Sequence, residues 1–319
     1  MRAVEVTKFG GPEVMALRDL PDPVAGPGQV VIDVAAVDVL FLDPRLRAGW
    51  GKEWFQLEPP YVPGNGVAGV VRSVGSDVDD AWIGRRVLAH TGTNGGMTPI
   101  GAYAEQARAE LSDVEPVPDQ LGLPEALTLL HDGPTAVLAL SSANVRPGER
   151  VLVNAASGSL GTLLVPMLKA AGAVVIGAAR GARKLDFIRE WGADQAVDYS
   201  VPDWTDQVGE VDVVFDGTGG DIGSAAYTLL RPGGRFLAYG SSAGEFPKTE
   251  PAREGVTVVG ILEMGKGVDK RGALTEMLAK AAAGEITPLV GQTFPLDQVW
   301  AAHEAIETRQ TVGKTLLLP

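Results

Sequence analysis

From Val151 onward the chain alternates short β-branched runs with stretches of helical spacing, and the first run ends in the turn Ala155-Ala156-Ser157-Gly158-Ser159-Leu160-Gly161. Strands are predicted over 151–154, 173–178, 195–198, 211–216, 234–240 and 256–261, with helices over 160–171, 184–191 and 222–230. Apolar strands alternating with helices mean a parallel sheet covered on both faces. Six such strands make up the full doubly wound complement.

The first third reads differently. Runs over 30–37, 66–74, 86–89 and 101–106 are bounded by Pro27-Gly28, Gly75-Ser76 and Gly84, a spacing that suits a partly closed antiparallel barrel. Helical spacing follows over 124–130 and 134–143, with a proline at each start. The tail is read as a helix over 271–283, a strand over 292–294, a helix capped by Asp297 and running to 307, and a last strand over 314–318 that returns to the β-rich part. The expected domains are 1–122 with 266–319, and 123–265. A chain of 319 residues exceeds one ordinary core, which fits two. A net charge of −13 argues against nucleic acid and anionic membrane surfaces. The absence of cysteine excludes disulfides and thiolate zinc sites. Met1-Arg2-Ala3-Val4-Glu5-Val6 alternates as a strand and does not read as a leader, and no apolar run reaches the roughly 18 residues that span a bilayer. A cytoplasmic protein is expected.

The glycine-rich turn carries the first functional signal. Between a strand and a helix, Gly158 and Gly161 let backbone N–H groups face a pyrophosphate at the helix N-terminus. The spacing is A-x-G-x-x-G, with Ala156 in place of the usual first glycine. The plain alternative is a βα turn without a ligand. NAD sites place an acid about 20 residues further on. Here the second strand ends in Ala178-Ala179-Arg180-Gly181-Ala182-Arg183-Lys184, which has no acid and three cations. Arg180 and Lys184 suit a 2′-phosphate, so NADPH is expected as the cofactor.

These segments, together with Pro63-Gly64-Asn65-Gly66-Val67-Ala68-Gly69-Val70-Val71, residues 231–240 and Val312-Gly313-Lys314, resemble the medium-chain dehydrogenase/reductase superfamily over the whole chain. Within it, the zinc-free quinone oxidoreductase-like branch is the nearest in pattern. The resemblance implies a GroES-like catalytic domain from both chain ends, a Rossmann domain in the middle, and NADPH in the cleft between them. It assigns Ala155, Ser157, Gly158, Ser159, Leu160 and Gly161 to the pyrophosphate. Ala179, Arg180, Lys184 and Tyr199 would sit at the adenosine 2′-phosphate. Gly217 and Thr218 would border the adenine ribose, and Gly240, Ser241 and Ser242 the nicotinamide side. Leu262 and Glu263 would present backbone to the carboxamide. Lys314 is also assigned to the cofactor. Tyr199 reads equally as a surface aromatic.

Departures from the family pattern shape the chemistry. Zinc-dependent relatives carry a cysteine where this chain reads Val37-Asp38-Val39, and a His-Glu pair where it reads Asn65-Gly66. One Asp and one Asn make a poor tetrahedral zinc site. Asp38 is a proton donor if burial raises its pKa, or else a cap for the loop 38–43. Gly66 in place of glutamate is expected to enlarge the pocket. Thr135 orients substrate or relays a proton, or caps a helix start. His131 reads first as a packed histidine and second as an acid. Without a metal to polarise an alcohol, the expected reaction is hydride addition to quinones or other conjugated carbonyls. An enoyl-thioester reductase is the alternative, weakened because Arg47-Ala48-Gly49-Trp50-Gly51-Lys52-Glu53-Trp54 lacks the tyrosine of those relatives. An NADPH-binding redox-sensing module is the alternative from another class. Trp50, Trp54 and Phe55 line a cleft or lid, with core packing the competing reading for all three and the favoured one for Trp54. The apolar edge strand over 256–261 predicts a homodimer.

Overall fold

The computed structural model describes residues 1–91, 101–264 and 266–319. In chain order, the first elements are β1 (Arg2–Val6), β2 (Met15–Asp19), β3 (Gln29–Val39), α1 (Leu42–Arg47), α2 (Lys52–Phe55), β4 (Gly66–Val74), β5 (Arg86–His90), β6 (Gln106–Glu110) and β7 (Val114–Pro116). The middle holds α3 (Leu123–Leu127), α4 (Leu129–Ala143), β8 (Arg150–Asn154), α5 (Ser159–Ala170), β9 (Val174–Ala179), α6 (Ala182–Glu190), β10 (Gln195–Asp198) and α7 (Trp204–Val208). Then come β11 (Val211–Asp216), α8 (Gly220–Thr228), β12 (Leu230–Ala238), β13 (Thr257–Gly260), α9 (Lys270–Ala282), β14 (Val290–Pro295), α10 (Val299–Glu307) and β15 (Lys314–Leu318).

Two compact units result, one of residues 1–131 with 275–319 and one of residues 132–274. Both breaks fall later than the expected ones after 122 and 265.

The first unit is built on a seven-stranded sheet ordered β14-β15-β3-β4-β5-β7, with β6 paired to β3. Its pairs are antiparallel except β14 with β15. The C-terminal strand therefore lies directly beside β3, and Leu316 is the partner of Asp38. Apolar side chains from β3, β4, β5, β6 and α10 form the core, including Ile32, Val37, Val67, Val87 and Ile306. β14 alternates half-buried and exposed positions, the pattern of a strand with one wet face.

The second unit is a six-stranded sheet ordered β10-β9-β8-β11-β12-β13, parallel throughout. This is the doubly wound order, and it reverses direction between β8 and β11, which is where such sheets bind ligands at their carboxyl ends. β11 is buried at nearly every position, as a central parallel strand must be. α5 presents Leu160, Leu163, Leu164 and Leu168 to the sheet at helical spacing.

Several local expectations are corrected. α4 starts at Leu129, so Pro134 and Thr135 lie inside the helix and Thr135 caps no helix start. Asp297 sits within a short 3₁₀ turn, and α10 begins after Gln298 with no side-chain cap. The strand expected from residue 101 begins at Gln106, because the Tyr103 carbonyl accepts from Val4 of β1 instead. Trp54 is exposed, with its ring edge-on to Trp50, and does not pack in the core.

Candidate active site

In the first unit, β3 carries Asp38 into the interior, where it is fully buried. One carboxylate oxygen, Oδ2, accepts from His131 Nδ1 at 2.7 Å and pairs with Lys314 Nζ at 3.2 Å. Lys314 reaches it because β15 lies beside β3; its ammonium, expected at the cofactor, is taken up by Asp38. The other oxygen, Oδ1, is buried without a hydrogen-bond partner. Burial alone would raise this carboxyl. The charges of His131 and Lys314, and their hydrogen bonds, outweigh that and hold it well below the usual carboxylate range. The condition set for Asp38 as proton donor, a raised pKa, is not met. Nor does Asp38 cap the following loop, since Asp43 accepts from the Leu40 N–H instead.

Asn65 completes the cluster. Its Nδ2 donates to the Thr91 carbonyl at 2.9 Å, which fixes the amide orientation. Its Oδ1 then lies 3.0 Å from both His131 Nε2 and His90 Nδ1. The two imidazoles meet edge to face with centroids 4.7 Å apart. Burial, followed by the charge of His131, pushes His90 down to about 3. Gly66 does not enlarge a pocket here. A Cβ at that position would lie 2.6 Å from Asp38 Oδ1 and 2.9 Å from His131 Cε1, so the missing side chain makes room for the Asp38–His131 pair. Thr135 is half-buried.

A second buried chain of polar groups lies in the same unit. Arg47 donates to His303 Nδ1 at 3.1 Å and to Glu307 at 2.6 Å. That leaves Nε2 as the hydrogen-bearing nitrogen, 3.1 Å from the Tyr103 hydroxyl, which donates to Asp43 Oδ2 at 2.9 Å. Burial pushes Asp43 up to about 7, with the Leu40 N–H offsetting part of it. Burial pushes His303 down to about 3, helped by the Arg47 charge.

In the second unit, the turn after β8 places Ala155 in the left-handed region at φ 58°. Gly158 precedes α5, and its N–H donates to the Ala155 carbonyl at 2.8 Å. A Cβ on Gly161 would lie 2.5 Å from the Ala156 carbonyl oxygen and 2.7 Å from that of Ala155, so only glycine lets α5 approach this closely. The Ser159 hydroxyl is spent on Asp132 at 2.5 Å. Across the switch point, Asn154 Nδ2 donates to Asp216 Oδ1 at 3.0 Å, and Asp216 also accepts from the Thr218 and Gly219 N–H groups. Burial raises Asp216, and these three donors offset part of the rise. Asn154 Oδ1 and Thr218 Oγ1 are left buried without a partner, and unpaired buried polar atoms are costly unless a ligand completes them. Ala179 is buried at the end of β9, Arg180 beside it is exposed, and Lys184 and Tyr199 are half-buried. Gly217 lies against the Tyr239 ring. Gly240, Ser241 and Ser242 follow β12, and Leu262 and Glu263 are exposed beyond β13. Sequence reasoning missed His90, the Asn154–Asp216 pair and the Lys314–Asp38 contact.

A parallel doubly wound unit with a glycine turn at its switch point, joined to a β-rich unit with a buried polar cluster, defines a nucleotide-dependent oxidoreductase. Residues 26–119 match the alcohol dehydrogenase GroES-like domain and residues 191–317 the zinc-binding dehydrogenase domain. The chain is 33% identical to a 2-haloacrylate reductase of Burkholderia, covering 99% of this chain and 98% of that one. It is 32% identical to the quinone oxidoreductase of Sus scrofa, covering 100% and 98%. A mycobacterial protein solved in complex with NADPH superposes with a TM-score of 0.86 at 31% identity, with both chains covered in full. The chain belongs to the medium-chain dehydrogenase/reductase superfamily, in its quinone oxidoreductase-like branch.

The zinc named for the matching domain does not fit these residues. The Asp38 carboxylate is held by an ammonium and an imidazole, the Asn65 amide nitrogen is turned to a carbonyl, and the chain contains no thiolate. Among the described residues no group of three or more His, Cys, Asp or Glu is set to hold a metal ion. Among them, too, no helix is long and apolar enough to cross a membrane.

Proposed function

We propose that this protein reduces quinones and other conjugated carbonyl compounds with NADPH, without zinc. The observation that carries the reading is the Asp38–Lys314–His131 cluster, in which an ammonium rather than a metal balances the carboxylate. Such a site cannot polarise an alcohol strongly, but it offers hydrogen bonds to the oxygen of an acceptor whose ring or β-carbon takes hydride. The Burkholderia relative's named substrate class, a 2-haloacrylate, is likewise an alkene conjugated to a carbonyl group.

The cofactor residues fit a dinucleotide. NADPH, when bound, supplies the hydride. The turn 155–161 and the α5 N-terminus would hold its pyrophosphate. The orphaned Asn154 Oδ1 and Thr218 Oγ1 offer polar partners at the switch point. The exposed Arg180 and the half-buried Lys184 would take the 2′-phosphate, with Tyr199 beside the adenosine. Asn65 would orient the acceptor, and Thr135, in the second unit, is assigned the same role by the family resemblance alone. We also propose a homodimer formed by edge pairing of β13, whose sequence Thr257-Val258-Val259-Gly260 has no charge to block it. A monomer in sedimentation at micromolar concentration would refute that pairing.

NADPH consumption with 1,4-benzoquinone, 9,10-phenanthrenequinone, an alkenal, 2-chloroacrylate and crotonyl-CoA tests the function. Turnover of the quinones or the alkenal is expected. Tight NADPH binding with no turnover of any acceptor refutes it and favours a redox-sensing module, while turnover confined to crotonyl-CoA favours an enoyl-thioester reductase. Arg180→Ala removes a charge-assisted contact of about 1.5–3 kcal/mol, so the NADPH preference over NADH should fall about tenfold or more. An unchanged preference refutes the 2′-phosphate assignment.

A further inference from the structure

Hydride addition to a conjugated carbonyl leaves an oxyanion that needs a proton, and the sequence nominated Asp38 to give it. Asp38 is fully buried and paired through one oxygen with the Lys314 ammonium and the His131 ring. Lys314 is 3% exposed and committed to the same oxygen. Of the three side chains Asp38, Lys314 and His131, His131 opens outward, with its side chain 21% exposed. We propose that His131 is the proton donor of the reduction, with Nδ1 anchored on Asp38 and Nε2 delivering its proton to the acceptor oxyanion. This rests on the functional reading above.

Hydrogen-bond accounting supports the assignment. Both ring nitrogens of His131 face oxygen acceptors, Asp38 Oδ2 and Asn65 Oδ1, so both carry hydrogen, as in an imidazolium. Asn65 Oδ1 is shared with His90 Nδ1, so it keeps one donor when Nε2 turns to substrate. Charged and titratable groups around the ring include Asp38 from β3, Lys314 from β15, His90 from β5 and Asp43 from α1. With a protonated His131 their sum is one net positive charge while Asp43 keeps its proton, since burial holds His90 neutral and pushes Asp43 up to about 7, and a positive cluster stabilises a developing oxyanion. In the step, the two electrons and hydrogen of the hydride add to the acceptor carbon and the carbonyl oxygen becomes anionic. The Nε2–H bond then breaks as the O–H bond forms. The neutral imidazole regains a proton from water. Asp38 and Lys314 are positioning residues.

The test compares wild type, His131→Gln and Asp38→Asn on 1,4-benzoquinone, with ring-nitrogen NMR of the three histidines. In His131→Gln, kcat should fall about 100-fold with NADPH affinity kept. Wild type should show a fall of kcat with rising pH and a solvent deuterium isotope effect, and both should be absent from His131→Gln. Asp38→Asn should lower kcat about tenfold with KM unchanged. Exogenous imidazole should restore turnover to His131→Ala, which keeps the test valid if the Gln variant folds poorly. Wild type should show one ring with both nitrogens bearing hydrogen, absent from the His131 variants. A His131→Gln enzyme within twofold of wild type with the same pH profile, or an NMR spectrum with no doubly protonated ring, overturns the proposal alone. A wild type that binds NADPH but reduces no acceptor overturns the functional reading first, and this proposal with it.

Discussion

Replacing Asp43 with asparagine should make the stability difference from wild type depend on pH in a direction the structure fixes. Asp43 is buried; one oxygen accepts from Leu40 and Tyr103 while the other has no partner. Its pKa of about 7 stands above the ordinary 3.8, so the fold favours the neutral acid. A group raised in this way contributes stability that is complete below its unfolded pKa and is lost as pH rises through the folded value. Between pH 5 and pH 8 that loss spans about two units, or roughly 2.5 kcal/mol at about 1.4 kcal/mol per unit. His90 and His303 pull the other way. Held neutral at about 3, they contribute stability above the unfolded pKa of 6.5 that is lost as pH falls. The wild-type curve therefore mixes opposing slopes, and only the difference between variant and wild type isolates residue 43. Asparagine keeps an oxygen for Leu40 and Tyr103 and carries no charge. Urea unfolding followed by circular dichroism at several pH values should show Asp43→Asn gaining about 2.5 kcal/mol on wild type from pH 5 to pH 8. A difference constant within about 0.5 kcal/mol would falsify the reasoning.

Lys314→Met should destabilise the protein by about 2–4 kcal/mol, since it leaves a buried carboxylate without its ammonium; thermal unfolding measures it. Because Asp38 is held low, its contribution is present above 3.8 and lost as pH falls; without Lys314 that loss should occur at higher pH in an acid titration. Gly66→Ala would push a methyl into Asp38 and His131, and should cut quinone turnover about tenfold or more while costing about 1–3 kcal/mol of stability. Gly161→Ala would drive α5 off the Ala155 and Ala156 carbonyls; the strain of about 1–3 kcal/mol should weaken NADPH binding about tenfold in a fluorescence titration.

Much of the second unit could be read directly. β10 and β11 fall on their predicted residues because each is an apolar run bounded by turn residues, and their parallel pairing follows from the helices between strands. α1, α2 and α7 went unread because four to six residues give no periodicity to detect. Asp297 looked like a cap because residue type alone does not reveal an intervening 3₁₀ turn. At the site, the sequence marked Asp38 and Asn65 as unfit for zinc, but it left the direction of the Asp38 pKa shift open. The sign depends on Lys314, which reaches Asp38 only through the pairing of the two chain ends. Register between distant strands leaves no local trace, and neither does the stacking of His90 against His131.

The position of β15 between β14 and β3 also bears on how the chain is made. Residues 132–274 are contiguous and emerge complete before the last strand exists. The first unit must wait: its central strand β3 lacks a neighbour, and Asp38 its ammonium, until residues 314–318 leave the ribosome. Arg47 and Tyr103 likewise wait for His303, across 256 and 200 residues of sequence. Assembly of the catalytic half is therefore a late, non-local event. A chain ending a few residues early should present a nucleotide-binding half that folds beside a catalytic half that does not.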